Sequence, residues 1–180
     1  SKLSSELIIQ EYNEFYNLQS IINRCGVLAG PWQMGKVDQG VVVLWLAKHF
    51  WKKELNYIGF GGEGKQVRDI LHINDLFKLL DTQVNNFKKY NGKTFNVGGG
   101  NDVSVSLIEL TEICENVTGN KIKINKIQKN RSADIPIYIS DNSKIQDLSS
   151  WAPENSPTQI IFDTFKWLKN NESILKNILS

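Results

Sequence analysis

Short apolar or alternating segments alternate with amphipathic segments along the whole 180-residue chain, and this alternation constrains the fold more than any other feature. Apolar residues at helical spacing predict α-helices over 1–18, 41–51, 74–90, 106–118, 142–148 and from 157 onward. Apolar or alternating runs predict strands at 20–28, 55–60, 66–71, 94–97, 121–127 and 138–140. This order is typical of α/β proteins, so we predict an α/β fold in which 20–28 and 94–97 lie in a parallel sheet.

Several helix ends carry capping signals. Ser106 with Glu109 three residues later forms a capping-box pattern, and Gly119 ends that helix. Asn74 is a predicted cap for the helix over 74–90, and Pro157 occupies a favoured first-turn position. In the helix that follows Asn74, one apolar face is predicted to hold Leu76, Leu79, Leu80 and Val84.

Composition excludes several function classes. The net charge is +2 with dispersed lysines, which argues against nucleic-acid binding, and the longest apolar run is far shorter than the roughly 20 residues of a membrane span. With two histidines and the distant Cys25 and Cys114, no zinc-ligand set can be assembled, so no metal site is predicted. We expect both cysteines to be reduced core residues of a cytoplasmic protein. The chain opens on a helical pattern without Met, as expected of a fragment.

Three polar segments are candidates for a binding site. A predicted strand runs into the Gly30-Pro31 turn, and ligands of open α/β sheets bind beyond the carboxyl ends of strands. Arg68 lies between apolar residues, so it either pairs with an acid such as Asp69 or binds a phosphate bidentately. Arg131-Ser132-Ala133-Asp134 is either a ligand-binding cluster or a solvated loop.

The order of these motifs resembles the C-terminal half of extended short-chain dehydrogenases/reductases that act on nucleotide sugars. The resemblance covers essentially the whole chain and rests on Gly30-Pro31, Gly64-Lys65-Gln66-Val67-Arg68-Asp69-Ile70-Leu71-His72-Ile73-Asn74-Asp75, Phe95-Asn96-Val97-Gly98-Gly99-Gly100 and Arg131-Ser132-Ala133-Asp134. It implies a Rossmann-like domain contributed by 1–30 and 74–100, interleaved with a small α/β substrate-binding lobe formed by 31–73 and 101–180. Ser1-Lys2 is similar to the end of the family's Tyr-x-x-x-Lys motif, whose tyrosine would precede Ser1.

The resemblance also implies roles for individual residues. Lys2 would bond the nicotinamide ribose of NAD and lower the pKa of the missing catalytic tyrosine. Cys25 and Pro31 would lie beside the cofactor, although Cys25 and Val27 replace the family's tyrosine and asparagine on that strand. On the substrate side, Arg68 and Arg131 would bind the diphosphate, Asp134 the nucleotide ribose, Gln39 a phosphate at a helix start, and Phe60 or Ile58 the base.

The implied activity is epimerisation of a nucleotide-linked sugar by transient oxidation. Gly30-Pro31-Trp32-Gln33-Met34 with Asp38-Gln39-Gly40 is most similar to the CDP-paratose 2-epimerase (tyvelose epimerase) subgroup. A 4,6-dehydratase or 4-epimerase of the same family stays open, as does a non-catalytic nucleotide-sugar-binding or interaction domain. The family's Gly-rich cofactor motif does not occur in these 180 residues, so the chain alone is expected neither to bind NAD tightly nor to turn over. Homodimers are common in the family, and a homodimer is implied for the complete protein.

Overall fold

The computed structural model describes residues 1–35, 39–132 and 134–179. Asp38 and Ala133, which belong to two of the motifs above, lie outside the described residues. The described residues form the helices α1 (Lys2–Tyr16), α2 (Val41–Phe50), α3 (Ile73–Asn85), α4 (Phe87–Tyr90), α5 (Leu107–Thr118), α6 (Ser143–Leu148), α7 (Pro157–Asn170) and α8 (Glu172–Leu179). They also form the strands β1 (Ile21–Cys25), β2 (Val27–Ala29), β3 (Leu55–Ile58), β4 (Val67–His72), β5 (Lys93–Val97), β6 (Ser104–Ser106), β7 (Ile124–Ile127) and β8 (Ile137–Tyr138).

The described strands form three small sheets. β1 pairs in parallel with β5, and β3 pairs in parallel with β7. The third sheet is built on β4, which pairs in parallel with β2 and β8 and antiparallel with β6. Because the helices lie between these strands in sequence, the predicted α/β class is confirmed, and so is the parallel pairing of the segment at 20–28 with 94–97.

The predicted single strand over 20–28 is wrong, because the chain changes sheets at Gly26. β1 ends one residue before Gly26 and pairs with β5, whereas β2 begins one residue after it and pairs with β4. The Gly26 N–H donates to the Val97 carbonyl at 2.8 Å, and a Cβ at Gly26 would lie 3.0 Å from Ser140 Oγ. The glycine therefore allows a tight bend that the apolar pattern alone does not reveal.

Two apolar cores hold the elements together. The larger one packs α2, α5, α7 and α8 and includes the fully buried Leu46, Cys114, Ile160, Ile161 and Leu168. The smaller one lies around β5, α3 and α6 and includes the fully buried Leu71, Leu79, Phe95 and Ile145. Burial of one such large side chain contributes about 1.5–3 kcal/mol, so the two cores fix the positions of the loops between them.

The predicted ends of α5 and the start of α7 are confirmed. The Glu109 N–H donates to Ser106 Oγ at 3.2 Å, and the Ser106 N–H donates to Glu109 Oε2 at 2.7 Å, which completes the capping box. Gly119 follows the last residue of α5 with φ 71°, and Pro157 is the first residue of α7.

The predicted start and apolar face of α3 are wrong. The cap is His72, whose Nδ1 accepts from the Asn74 N–H at 3.0 Å, so the helix begins one residue before Asn74. It ends at Asn85 because a separate short helix, α4, follows. Leu76 and Leu79 are buried as predicted, but Leu80 and Val84 are 41% and 69% exposed.

His49 is a fully buried histidine near the end of α2. Its Nδ1 lies 2.7 Å from the Trp45 carbonyl, so Nδ1 carries the hydrogen, and Nε2 has no hydrogen-bond partner within the described ranges. Burial lowers the pKa of His49, opposed in part by the bond to Trp45 and by the charge of Glu115. The folded protein therefore holds His49 neutral at a pH where an exposed histidine takes up a proton.

We expect stability to fall as the pH drops below about 6.5, the pKa of an exposed histidine, because the unfolded chain then binds a proton that folded His49 does not. His49→Gln, whose amide can still donate to the Trp45 carbonyl, should lose less stability between pH 7 and pH 5. The difference should reach up to about 1.4 kcal/mol per pH unit. Urea unfolding of both proteins at the two pH values measures it, and equal losses would show that His49 does not titrate as described.

Candidate functional site

Arg68 and Asp134 form an ion pair between β4 and the segment that precedes β8. Arg68 Nη2 lies 2.8 Å from Asp134 Oδ1 and also donates to the Ile135 carbonyl at 2.8 Å, while Nη1 donates to the Val67 carbonyl at 2.8 Å. Both charged side chains are about one-quarter exposed. The suggestion that Asp69 neutralises Arg68 is therefore wrong, and two predicted site residues 66 positions apart meet directly.

The turn after β3 contacts the same segment. The Gly59 N–H donates to the Ile127 carbonyl at 2.7 Å, and the Phe60 N–H donates to Asn130 Oδ1 at 2.7 Å. Phe60 is partly exposed and belongs to a short 3-10 turn over 60–62, where the sequence predicted the end of a strand.

Arg131 lies between these two contacts in the chain. The residue before it, Asn130, binds Phe60, and Asp134 three residues later binds Arg68. Arg131 itself is exposed. The structure thus places the predicted substrate residues on three adjoining segments: Phe60 on the turn after β3, Arg68 at the start of β4, and Arg131 and Asp134 on the segment before β8. Arg68 is partly buried and Arg131 is exposed.

Gln39 lies just before α2, as predicted. It is exposed, and Gly40, with φ 71°, is the residue that precedes the first turn of the helix. The backbone N–H groups of such a first turn, together with the helix dipole, attract anions. The role of Gln39 in a phosphate site stays a prediction.

The predicted cofactor residues lie at the carboxyl ends of β1 and β2. Lys2 begins α1, and its positive charge acts on Cys25 at the end of β1. Partial burial raises the pKa of the Cys25 thiol, and Lys2 lowers this pKa by a smaller amount. Cys25 is exposed, so its prediction as a core residue is wrong, whereas Cys114 is buried as expected.

Pro31 follows β2, whose last residue, Ala29, lies in register with His72 at the end of β4. Arg68 is four residues earlier on β4, and a strand rises about 3.3 Å per residue, so the two predicted groups are separated by roughly 13 Å along the strand. Pro31 and Arg68 therefore lie at opposite ends of the β2·β4 strand pair.

Several polar residues of the motif around Arg68 have structural contacts. Gln66 Nε2 donates to the Ile58 carbonyl at 2.6 Å, which ties β4 to the end of β3. The buried His72 caps α3, and the buried Asp75 accepts the Asn155 N–H at 3.1 Å. These residues hold the segments around Arg68 in place. Their occurrence in the motif is therefore explained without any contact to a ligand.

Asp69 is the centre of a buried polar cluster that the sequence did not predict. Its side chain is fully buried, and Oδ2 accepts the N–H groups of Gly100 and Ser140, each at 3.1 Å. Asn142 completes the cluster by exchanging two hydrogen bonds with the Gly98 backbone, at 3.0 and 2.9 Å. The run Gly98-Gly99-Gly100 was the available signal, because glycines pack where a side chain does not fit.

Two cavities lie away from Arg68. One, of about 610 Å³, is lined by residues of α1, β1, β5 and the start of α6, including Arg24 and Lys144. The other, of about 270 Å³, lies between the Gly99–Val103 and Ser140–Ser143 segments.

The described ranges, 1–35, 39–132 and 134–179, contain neither a cluster of metal ligands nor a membrane-spanning helix. No group of three or more His, Cys, Asp or Glu side chains there is arranged to hold a metal ion. None of the helices in those ranges is both long and apolar enough to cross a membrane.

Comparison with known proteins identifies a family and several relatives that match most of this chain. The sequence profile of the GDP-mannose 4,6 dehydratase family matches residues 1–164. CDP-paratose 2-epimerase of Salmonella typhi is 28% identical over 169 residues, which cover 93% of this chain and 50% of that protein.

Solved structures share the fold of this chain. The dTDP-glucose 4,6-dehydratase of Bacillus anthracis, in complex with NAD, superimposes with a TM-score of 0.80 at 24% identity and covers 97% of this chain and 52% of its own. UDP-glucuronic acid 4-epimerase of Bacillus cereus, in complex with UDP-glucuronic acid and NAD, has a TM-score of 0.80 at 21% identity and covers 94% and 51%. The chain spans about half the length of the curated relatives that it matches.

Proposed function

Because the chain belongs to the GDP-mannose 4,6 dehydratase family of extended short-chain dehydrogenases/reductases, we propose that it supplies the nucleotide-sugar-binding part of an NAD-dependent epimerase. The observation that carries this proposal is the meeting of Phe60, Arg68, Arg131 and Asp134 on adjoining segments. An aromatic ring, two guanidinium groups and a carboxylate suit the base, the diphosphate and the ribose of one nucleotide.

The proposed binding step uses the two arginines differently. Arg131 is exposed and would meet the diphosphate at the surface, and both terminal nitrogens of the partly buried Arg68 donate to protein oxygens. A phosphate oxygen would therefore replace one acceptor of Arg68, most simply Asp134, and the released carboxylate would accept hydrogen bonds from the ribose. This exchange keeps the partly buried positive charge of Arg68 paired throughout, which limits the cost of the exchange.

On the cofactor side, Lys2 would hold the nicotinamide ribose and lower the pKa of the tyrosine that acts as general base. The charge of Lys2 lowers the pKa of the Cys25 thiol, so the two side chains lie near each other. Their proximity supports placing both beside the nicotinamide. Bound NAD would accept a hydride from the sugar carbon and return it to the opposite face. This chain's part is to hold the diphosphate while the sugar turns.

The surface around β1 supports a further domain that completes the cofactor site. Among the described strands, β1 pairs only with β5, so its other edge is free. The helices on both sides expose apolar rows, namely Leu3, Leu7, Ile8, Tyr12 and Phe15 of α1 and Ile73, Phe77, Leu80 and Val84 of α3, each at least 40% exposed. We propose that a segment with the Gly-rich motif and the catalytic tyrosine extends the β1·β5 sheet here and covers both rows.

In the complete enzyme, Arg68→Ala and Arg131→Ala should each weaken nucleotide-sugar binding by about 1.5–3 kcal/mol, because each removes a charged hydrogen bond to the diphosphate. Calorimetric titration measures the loss. Lys65→Ala is the matched control, since Lys65 is a cation close in sequence that pairs with Glu63 at 2.7 Å and is largely exposed. Unchanged affinity in both arginine variants would remove them from the site.

The relatives also support a second activity of the same family, sugar dehydration. The solved dTDP-glucose 4,6-dehydratase superimposes as well as the epimerases, and a dTDP-glucose 4,6-dehydratase of Escherichia coli is 28% identical over 186 residues. Product analysis with CDP-, UDP-, GDP- and dTDP-linked sugars separates the two. A 2-epimer of a CDP-sugar supports the proposed activity, whereas a 4-keto-6-deoxy product shows that the protein is a dehydratase.

A further inference from the structure

The turn that presents Phe60 is held in a conformation that phenylalanine rarely adopts. Phe60 has φ 48°, and its neighbours Gly59 and Gly61 have φ 82° and 78°. A left-handed backbone brings Cβ close to the following carbonyl oxygen, which costs roughly 1–2 kcal/mol for a residue with a side chain. Strain of this kind persists where surrounding contacts fix it, and it concentrates where a side chain must point in one direction.

Asn130 supplies the contacts that fix this turn. Its Oδ1 accepts the Phe60 N–H at 2.7 Å, and a Cβ on Gly59 would lie 3.3 Å from the Asn130 Cα. The turn is therefore packed against the Asn130 backbone and bonded to its side chain. The Gly59 N–H, bonded to the Ile127 carbonyl, anchors the other end of the turn to β7.

We infer that Asn130 is a positioning residue that sets the place of the Phe60 ring for stacking against the base of a nucleoside diphosphate. The inference rests on the proposed function, because it needs a nucleotide at this surface. Asn130 immediately precedes Arg131, so one short segment fixes the aromatic ring and carries a diphosphate-binding guanidinium. The hydrogen bond between the Phe60 N–H and Asn130 would thus set the distance between the ring that stacks on the base and the guanidinium that binds the diphosphate.

The test compares nucleoside diphosphates with inorganic pyrophosphate on the complete enzyme. CDP and UDP carry a base and a ribose, whereas inorganic pyrophosphate offers only the diphosphate, so the ratio of their affinities measures the contribution of the nucleoside, and a change in this ratio on mutation of Asn130 or Phe60 measures the contribution of the base. Stacking of a base on an aromatic ring is worth about 1–3 kcal/mol, so the parent protein should show a ratio of about fivefold or more. Asn130→Ala should reduce this ratio by about fivefold or more while pyrophosphate affinity stays within about twofold.

Asn130→Asp is the conservative variant, because a carboxylate oxygen can still accept the Phe60 N–H. Its negative charge should weaken the binding of CDP and of pyrophosphate by similar factors, so the ratio of the two affinities should return to the parent value. Phe60→Ala should lower the ratio by itself, and adding Asn130→Ala to it should change the ratio no further, since Asn130 acts through Phe60.

The outcomes separate the inference from the proposed function. If the parent binds CDP and UDP no more tightly than pyrophosphate, or binds none of them, the nucleotide site fails and the inference with it. If the parent shows the base preference and Asn130→Ala keeps it, only the role of Asn130 is wrong. An Asn130→Asp protein that loses the ratio as the alanine variant does would also overturn that role.

Discussion

Replacing Asp69 with alanine should destabilise the protein by about 3–5 kcal/mol, because two hydrogen bonds to a buried carboxylate are lost together. The Gly100 and Ser140 N–H groups would then have no acceptor in that position, and the Ser140 N–H is buried. The loss should loosen the junction at which β4, the end of β5 and the segment before α6 meet.

Thermal or urea unfolding measures this effect. Asp81→Ala removes an exposed aspartate of α3 and should change stability by no more than about 0.5 kcal/mol. Asp69→Asn keeps one oxygen acceptor of the same shape and should fall between the two. If Asp69→Ala were as stable as Asp81→Ala, the buried cluster would not stabilise this junction.

Gly99→Ala should destabilise the protein by about 3 kcal/mol or more, since the added Cβ would lie 2.3 Å from the Ile70 carbonyl oxygen and 2.7 Å from that of Val103. Both are backbone atoms, one in β4 and the other in the residue before β6, and they cannot rotate away. Gly92→Ala is the control, because Gly92 has φ 71° but nothing within 4 Å of its added Cβ. It should cost only about 1–2 kcal/mol, the strain of a left-handed backbone. Equal losses would mean that the strands separate easily at Gly99.

The sequence predicts the fold well where local physics decides it. Ser106, Glu109 and Gly119 satisfy a helix's own end groups, so the ends of α5 follow from neighbouring residues alone. The sheet change at Gly26 and the three-residue strand β6 depend on partners far along the chain, which periodicity does not encode. The exposure of Leu80 and Val84 likewise follows from what packs against α3, not from their spacing.

In the candidate site, too, the sequence predicts what neighbouring residues decide but not what distant residues decide. Arg68 in an apolar context correctly predicts a paired charge, because a buried guanidinium needs an anion. Its partner could not be chosen from the sequence, since Asp69 is adjacent in the chain but points into the buried cluster, while Asp134 arrives from another segment. The motif therefore combines one residue that contacts the candidate ligand surface with several that hold the segments in place.

We propose that Arg68 and Arg131 together bind one nucleotide diphosphate, and a crystal structure of the complete enzyme with a nucleotide sugar tests this most directly. We expect diphosphate oxygens at about 2.7–2.9 Å from both guanidinium groups, with the base against Phe60. A diphosphate bound elsewhere, with Arg68 still paired to Asp134 and Arg131 turned away from it, would contradict the claim.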